Sequence, residues 1–288
     1  MWKKPMCLGT GPQFGVPIAD QIRLFRDAGF EGVFADYGPG LDHGPDIREF
    51  ARQTKENGLE FQSVHAPFTK MADVWHGSDE AAKVAIDELC DCLQMCIANE
   101  VPIMVAHAFI GFDDHDPNSI GLERLSRLVR MAEGSGTRIA FENTEGLEYL
   151  DAIMNTFTDQ NVVGFCWDTG HEMCYNYSMD LLQRYPGRLI ATHLNDNLGI
   201  SFADGHIFWT DDLHLLPFDG IADWDGVVER LHRENFDGIL TFELTPLSKP
   251  NRHDNDKYAA MPLERYIAEI YSRSCRVATK LLKLENND

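Results

Sequence analysis

Carboxylates and histidines recur at the ends of short apolar runs along this chain. Each run is rich in Val, Ile, Leu and Phe, as in IMVAHAF, IAFENTEG, VGFCWDTGH, LIATHLND and GILTFELTP. A continuous apolar run is typical of a buried strand in a parallel sheet, so a charged group at its end needs a reason. The polar endings are His65, His107, Glu142, Asp168 with His171, His193 and Glu243, and less clearly Asp36.

Four of these endings, on successive predicted strands, are typical of ligands for a divalent metal ion. They are Glu142, Asp168, His193 and Glu243. Ionised carboxylates that share one cavity repel each other unless a cation holds them. Oxygen and imidazole ligands suit Mn, Co, Zn or Mg. The four residues therefore predict one bound metal ion.

A second set of five residues surrounds the first. Two of them lie at alternate positions of the extended segment DLH, so that both side chains point the same way. Another follows Asp168 by three residues, and two end the third and fourth predicted strands. They are candidates for substrate contacts or for ligands of further ions, up to three in total, and the alternative is a structural hydrogen-bonding role. The five are His65, His107, His171, Asp212 and His214.

The apolar runs alternate with amphipathic segments, which gives eight strand–helix units. Units of this kind predict right-handed parallel crossovers, and eight of them predict an α/β protein with a closed (β/α)8 TIM barrel. Residues 1–288 are expected to form it as a single domain. The carboxyl ends of the strands would then converge on one mouth. An open doubly wound sheet does not explain why nearly every strand ends in a potential ligand.

Three long connections after strands are expected to surround that mouth. They are MADVWHG, NLGISFADGHIFWTDDLHLLPFDGIA and PLSKPNRHDNDKY. Long loops in a compact domain are usually functional. We interpret the aromatic residues in or beside this mouth as faces that stack on a substrate and exclude water, and they are Trp75, Trp167, Phe202, Phe208 and Trp209. Ordinary loop packing is the alternative.

Composition limits the classes of partner. The formal net charge is −21, and a surface this acidic argues against nucleic-acid binding. No apolar stretch approaches the roughly 20 residues that cross a bilayer, so no membrane partner is predicted. Seven cysteines follow neither a disulfide nor a zinc-binding spacing, which predicts a cytoplasmic protein with reduced thiols. The sequence leaves open whether the chain forms a homo-oligomer.

The motifs HAPF, VAH, ENTEG, DTGH, HLNDN, DLH and ELTP, in this order, resemble those of the xylose-isomerase-like TIM barrels, the AP endonuclease family 2 superfamily. The resemblance spans nearly the whole chain. It implies either sugar isomerase or epimerase chemistry, as in carbohydrate metabolism, or endonuclease IV chemistry. In the endonuclease IV branch, a similar ligand pattern on all nine candidate residues holds three zinc ions.

The ketose 3-epimerase branch implies more specific roles. Resemblance to it assigns one Mn-like ion to the four residues named first, with Glu142 and Glu243 also acting as the catalytic proton-transfer pair. Glu148 and His171 match positions that contact substrate. The arginine that this branch carries six residues after the metal histidine is Gly199 here, a departure from its usual substrate binding.

The balance of these features favours a metal-dependent isomerase or epimerase of a small sugar, sugar phosphate or other sugar derivative, acting through an enediolate. The loop ISFADGHIFWTDD is acidic, whereas the DNA-binding loops of the endonuclease branch are basic. Lys70, Lys249 and Arg252 are candidates for binding a terminal phosphate or carboxylate. A phosphodiesterase, a lyase and a non-catalytic binding protein stay open as alternatives.

Overall fold

Eight short parallel strands form the centre of the computed structural model, which describes residues 3–38, 46–113 and 116–286. They pair in the order β7-β6-β5-β4-β3-β2-β1-β8, and the amide of Leu194 donates to the carbonyl of Thr241 at 2.8 Å between the two ends of the sheet. The predicted single-domain (β/α)8 barrel is therefore confirmed. The strands are β1 Met6–Gly9, β2 Gly32–Asp36, β3 Glu60–His65, β4 Ile103–His107, β5 Arg138–Glu142, β6 Val163–Asp168, β7 Leu189–His193 and β8 Leu240–Phe242.

The helices surround the sheet and begin and end largely where the sequence places them. Ser78 accepts a hydrogen bond from the amide of Ala81 at the start of α4, and Gly29 ends α1 with a left-handed φ of 111°. The helices are α1 Ile18–Ala28, α2 Ile47–Glu56, α3 Met71–His76, α4 Asp79–Ala98, α5 Ser119–Ala132, α6 Leu147–Thr156, α7 Thr169–Cys174, α8 Leu181–Arg184, α9 Trp224–Arg233, α10 Asp256–Ala259 and α11 Leu263–Glu285.

Two segments differ from the sequence prediction. The connection MADVWHG is not a loop, because it contains helix α3. The segment SMDLLQRYPG contains only the four residues of α8, and the chain instead forms α7 directly after β6. Asp168 begins α7, since its side chain accepts a hydrogen bond from the amide of His171 at 2.6 Å. The last residue of the strand therefore also caps the helix.

Alternation along the strands explains why the ligand candidates face inward. Small apolar side chains fill the barrel interior, and they are Ile103, Val105, Ala140, Cys166 and Ala191. Side chains two residues apart in a strand point the same way. The inward face that starts at Val105, Ala140, Cys166 and Ala191 therefore continues to His107, Glu142, Asp168 and His193. Large apolar residues on the opposite face, such as Phe141 and Phe165, pack beneath the helices.

The long connection between β7 and α9 is anchored by one buried carboxylate. Asp196 accepts hydrogen bonds from the amides of Phe218 at 2.8 Å and Ala222 at 2.9 Å, and from the indole of Trp224 at 2.9 Å. Its backbone also pairs with Leu215 in an antiparallel bridge. This anchor fixes the segment that carries Asp212 and His214.

We expect Asp196→Ala to destabilise the protein. The substitution leaves buried N–H groups without an acceptor, and each such group costs about 1–3 kcal/mol. The free energy of unfolding in urea should fall by about 3 kcal/mol. The exposed Asp237→Ala serves as the control and should change it by less than about 0.5 kcal/mol. Equal stability of the two variants would contradict the anchoring role.

Candidate metal centre

The four side chains predicted to hold one metal ion meet at the carboxyl end of the barrel. Nδ1 of His193 lies 2.8 Å from Oε1 of Glu142 and 3.1 Å from Oε2 of Glu243. Asp168 lies beside them, and one potential ligand atom from each of the four residues lies within 4.8 Å of all the others. This spacing fits four donor atoms around a single cation.

Two further ligand groups lie next to this one. His65 and His107 form the first together with Glu142, and the Nε2 atom of His65 is 3.3 Å from Oε2 of that carboxylate. The second consists of His171, Asp212 and His214. All nine residues that the sequence predicts as ligands are therefore brought together. Glu142 belongs to the group of four, to the group of His65 and His107 and also to one with Cys166 and His193, and it connects them.

The carboxylates of the centre lack cationic partners of the usual kind. Among the ion pairs of the described residues, Glu142 and Glu243 have only histidine partners. Asp168 pairs only with His171, at 3.9 Å. Buried carboxylates normally pair with a positive charge or coordinate a metal. This donor set of oxygens and imidazoles therefore fits a divalent metal ion.

Protonated histidines supply the positive charge in the absence of a metal. Burial opposes the charged form of His171, but Asp168, Asp212 and Glu142 outweigh it and raise its pKa well above the usual range. Burial has the same effect on His214, whose pKa Asp212 and Glu243 nevertheless raise to about 9. Burial also raises the pKa of Asp168 to about 6, against the field of His171.

His107 differs from the other histidines of the centre. Burial, together with the neighbouring His65, lowers its pKa to about 3, so its imidazole is neutral at physiological pH. Its buried Nδ1 atom has no hydrogen-bond partner within the described part of the chain. A neutral imidazole is the form that binds metal ions.

Two asparagines that the sequence analysis did not single out hold the ligands in place. The side chain of Asn195 donates to Oδ2 of Asp168 at 2.8 Å, and that of Asn143 donates to the backbone carbonyl of Asp168 at 2.9 Å. A Cβ atom at Gly170 would lie 1.9 Å from the side-chain oxygen of Asn195. The position of the Asn195 side chain therefore requires glycine at residue 170. The motifs ENT and HLND contain these asparagines next to the ligands, and that proximity is the signal that could have identified them.

An aromatic ring fixes His193 from the side of β2. The ring of Phe34 stacks on the imidazole with centroids 5.1 Å apart and an angle of 18° between the planes. Gly9 of β1 lies on the far side of Phe34, where a Cβ atom would approach the ring to 2.5 Å. Small size at Gly9 therefore gives Phe34 the room to support the imidazole.

The centre opens into a cavity of about 530 Å³. Two of the three predicted loops contribute to it, with Trp209, Asp212 and His214 from one and Lys249 from the other. The ammonium of Lys249 lies 3.0 Å from Oδ2 of Asp212 and 5.7 Å from the centroid of the Trp209 ring. Ligand groups, an aromatic face and one cation thus share a cavity of the size that small molecules occupy.

The interpretation of two tryptophans as substrate-stacking faces is wrong. Trp75 is buried among the helices, where its indole donates to the carbonyl of Ala108 at 2.9 Å. Trp167 is also buried and packs beneath the guanidinium of Arg230, 4.4 Å from the ring centroid. Trp167 neighbours Asp168 in β6, and adjacent strand residues point to opposite faces. That alternation already placed Trp167 outside the barrel.

The other predicted substrate contacts divide between two places. His171 lines the metal cavity, whereas Glu148 is exposed and lines a neighbouring cavity. Lys70 pairs with Glu88, and Arg252 pairs with Asp211 at 2.9 Å. Neither Lys70 nor Arg252 is among the described residues that line the metal cavity, so Lys249 is the one predicted anion-binding residue that reaches it.

The chain belongs to the AP endonuclease 2 family of xylose isomerase-like TIM barrels, whose model matches residues 22–261. It is 27% identical to the uncharacterized protein y4fM of Sinorhizobium fredii, over 89% of this chain and 92% of that protein. It is also 27% identical to a probable endonuclease 4 of Cenarchaeum symbiosum, but over only 45% of this chain and 49% of that protein.

Solved structures share the fold at low sequence identity. A structure of the IolI protein with a zinc atom superposes with a TM-score of 0.74 at 17% identity, covering 96% of this chain and 99% of that one. A structure of L-ribulose 3-epimerase gives a TM-score of 0.70 at 14% identity, covering 99% and 96%. Across residues 3–38, 46–113 and 116–286, no helix has the length and apolar character that spanning a membrane requires.

We expect Glu142→Gln to lower the amount of bound metal more than Asp212→Asn does. Glu142 belongs to three overlapping ligand groups, whereas Asp212 belongs to one. Affinity for Mn²⁺ and Zn²⁺ should fall more than about tenfold in Glu142→Gln. The measurement is metal content after equilibrium dialysis. Glu145→Gln is the matched control, because Glu145 lines the same cavity outside the ligand groups. Equal metal content in Glu142→Gln and Glu145→Gln would contradict this assignment.

Metal affinity should rise with pH between about 6 and 9. The carboxylates raise the pKa of His171 and His214, so both imidazoles are protonated at neutral pH without metal. An entering ion must displace these protons, and their competition weakens as pH rises. Calorimetry in buffers of different ionisation enthalpy measures the proton release. His253→Gln, at an exposed histidine, should keep the wild-type slope, and a flat profile for the wild type would rule the competition out.

Proposed function

We propose that this protein is a metal-dependent isomerase or epimerase of a sugar or sugar derivative. The observation that carries this proposal is the placement of Glu142 and Glu243, which approach the same nitrogen of His193 at 2.8 and 3.1 Å. Glu243 lines the metal cavity, and the fully buried Glu142 lies against the same imidazole. Two carboxylates this close together suit removal of a proton and its return. The family and its epimerase neighbours support the same class of reaction.

Glu142 and Glu243 are proposed to move the proton. A divalent cation held by them with Asp168 and His193 would polarise a substrate carbonyl and make the neighbouring C–H more acidic. One glutamate accepts that proton, and the other returns a proton to the enediolate that results. Both residues come from strand ends that the barrel holds rigidly, which favours a fixed distance to the reacting carbon.

Other residues of the cavity are proposed to orient the substrate. His171 points towards Asp212, with Nε2 and Oδ1 3.4 Å apart, and both can hold hydroxyl groups. Trp209 is 42% exposed and offers a face on which sugar C–H groups can stack. Gly199 has a left-handed φ of 73°, a conformation that an arginine would adopt only under strain. Trp209 and Lys249 are proposed to supply the recognition that the arginine supplies in the ketose 3-epimerase branch.

The charge of the protein favours a small ligand over a nucleic acid. The formal net charge is −21, and three divalent ions would leave it strongly negative. Affinity for a duplex depends on basic groups that neutralise phosphates. Lys249 is the only lysine or arginine among the described residues that line the metal cavity, and it already contacts Asp212.

Deuterium exchange from solvent tests the proposed reaction. Metal-loaded protein in D₂O should introduce deuterium next to the carbonyl of at least one sugar in a panel of ketoses and aldoses. Glu243→Gln should lower this rate by more than about 100-fold, because it removes a proton-transfer group. Glu145→Gln should retain the rate. Absence of exchange across a broad panel with metal-loaded wild type would overturn the proposal.

A second candidate function is phosphodiester hydrolysis. The observation that favours it is the third ligand group of His171, Asp212 and His214, which lies beside the other two. Clustered divalent ions can activate a water molecule and stabilise a leaving oxygen. The partial similarity to a probable endonuclease 4 points the same way.

Cleavage of a duplex that contains an abasic site separates the two candidates. The isomerase proposal expects no cleavage by zinc-loaded protein at physiological salt. Cleavage by the wild type that Asp212→Asn abolishes, together with no deuterium exchange into sugars, would establish the second candidate instead. Asp237→Ala, an exposed substitution outside the ligand groups, controls for handling of the protein.

A further inference from the structure

A second and larger cavity adjoins the metal cavity. Its volume is about 980 Å³, against about 530 Å³ for the metal cavity. The two share Phe112 and Tyr175 in their walls and are therefore adjacent. The proposed reaction of a single sugar ring makes no use of this additional space.

The walls of the second cavity combine aromatic faces with acidic side chains. Phe109, Phe112, Tyr175, Tyr177 and Phe208 supply the aromatic part. Asp113, Asp116 and Glu148 supply carboxylates that accept hydrogen bonds from hydroxyl groups. No lysine or arginine is found among the described residues of these walls. This composition suits a neutral, hydroxyl-rich group with C–H faces and disfavours a phosphate.

Tyr177 is presented to this cavity by an unusual backbone. Its φ is 55°, and that of the following Ser178 is also 55°. Left-handed conformations are uncommon for residues with a side chain, and strained residues cluster at active sites and ligand-binding sites. The amide of Ser178 donates to the carbonyl of Glu172 at 2.8 Å, which holds the turn. The Tyr177 side chain remains 64% exposed in spite of its size.

We propose that the second cavity binds a neutral glycosyl group, so that the substrate is a glycoside or disaccharide whose reacting sugar lies in the metal cavity. The inference rests on the proposed function and specifies its substrate class. The reacting ring contacts the ligand groups, the linkage passes Phe112 and Tyr175, and the second ring stacks on Tyr177. Glu148, which resembles a hydroxyl-binding residue by sequence, then contacts the second ring and not the first.

Keto-disaccharides and their free ketose provide the test. The probes are lactulose, isomaltulose and turanose, compared with D-fructose and D-fructose 6-phosphate, on Mn-loaded full-length protein. We expect at least one disaccharide to exchange deuterium with a kcat/KM more than about tenfold above that of fructose. Fructose 6-phosphate should gain nothing over fructose. A preference for the phosphate, or no disaccharide that exchanges faster than fructose, would overturn the proposal and leave the isomerase assignment intact.

Tyr177→Gly removes the stacking ring without straining the backbone, because glycine adopts positive φ freely. It should raise KM for the preferred disaccharide about tenfold and leave kcat/KM for fructose within about twofold. Ser178→Gly is the matched control, since it relieves the same conformation outside the cavity walls. An equal effect of both variants, or an equal loss on fructose, would show a structural role and overturn the proposal.

A direct binding measurement tests the second cavity independently of catalysis. If no sugar exchanges deuterium, calorimetric titration of the Mn-loaded wild type with the same disaccharides still measures occupancy of the second cavity. Binding that Tyr177→Gly weakens and Ser178→Gly does not supports the glycosyl site, even if the isomerase proposal fails. Absence of binding by all three disaccharides, or binding that neither variant changes, overturns it.

Discussion

Glu142 is a buried carboxylate with four histidine neighbours, and the arrangement of the ligand groups at the mouth of the barrel depends on it. Oxygen atoms of Glu142 lie 2.8 Å from a ring nitrogen of His193, 3.3 Å from His65, 3.5 Å from His107 and 3.7 Å from His171. Although burial opposes its charge, His193 and the other imidazoles hold the pKa of Glu142 well below its usual range. Without a cation, protons on the histidines compensate for the negative charge, and a metal ion would replace several of them at once.

The barrel separates this concentration of charge from its apolar core, because the two occupy different layers of the interior. Small apolar side chains such as Val105, Ala140 and Ala191 fill the lower interior, and the charged groups occupy the last inward position of the same strands. Register then brings His107 opposite Glu142 and Asp168 opposite His193. The packing that stabilises the fold and the polar cluster that carries the proposed chemistry are therefore successive layers of one structure.

The strand ends could be predicted from the sequence because a charged or imidazole side chain directly follows each apolar run. Fold and ligand positions follow from that pattern and from the period of two along a strand. The helical state of α3 could not be predicted, since six residues are too few to display a helical period. The burial of Trp75 depends on α5, where a Cβ atom at Gly121 would come within 2.2 Å of its ring. Such a contact between distant segments leaves no trace in the local pattern.

The supporting contacts of the centre were harder to predict for a different reason. Asn143 and Asn195 carry no charge, and the predicted metal ligands in the same motifs give a stronger sequence signal. The second cavity arises where the turn after α7 meets the loop that precedes Trp209, so its walls come from residues far apart in sequence. Resemblance to relatives predicts a substrate contact at Glu148, and this residue lines the second cavity and not the metal cavity.

The two carboxylate oxygens of Asp168 accept hydrogen bonds from different residues. Oδ1 accepts the amide of His171 and so begins α7, whereas Oδ2 is held by Asn195 within the ligand cluster. The helix in turn carries Glu172, whose carbonyl holds the turn that presents Tyr177. A change in the position of Asp168 would therefore be transmitted through α7 to the turn that carries Tyr177 at the wall of the second cavity.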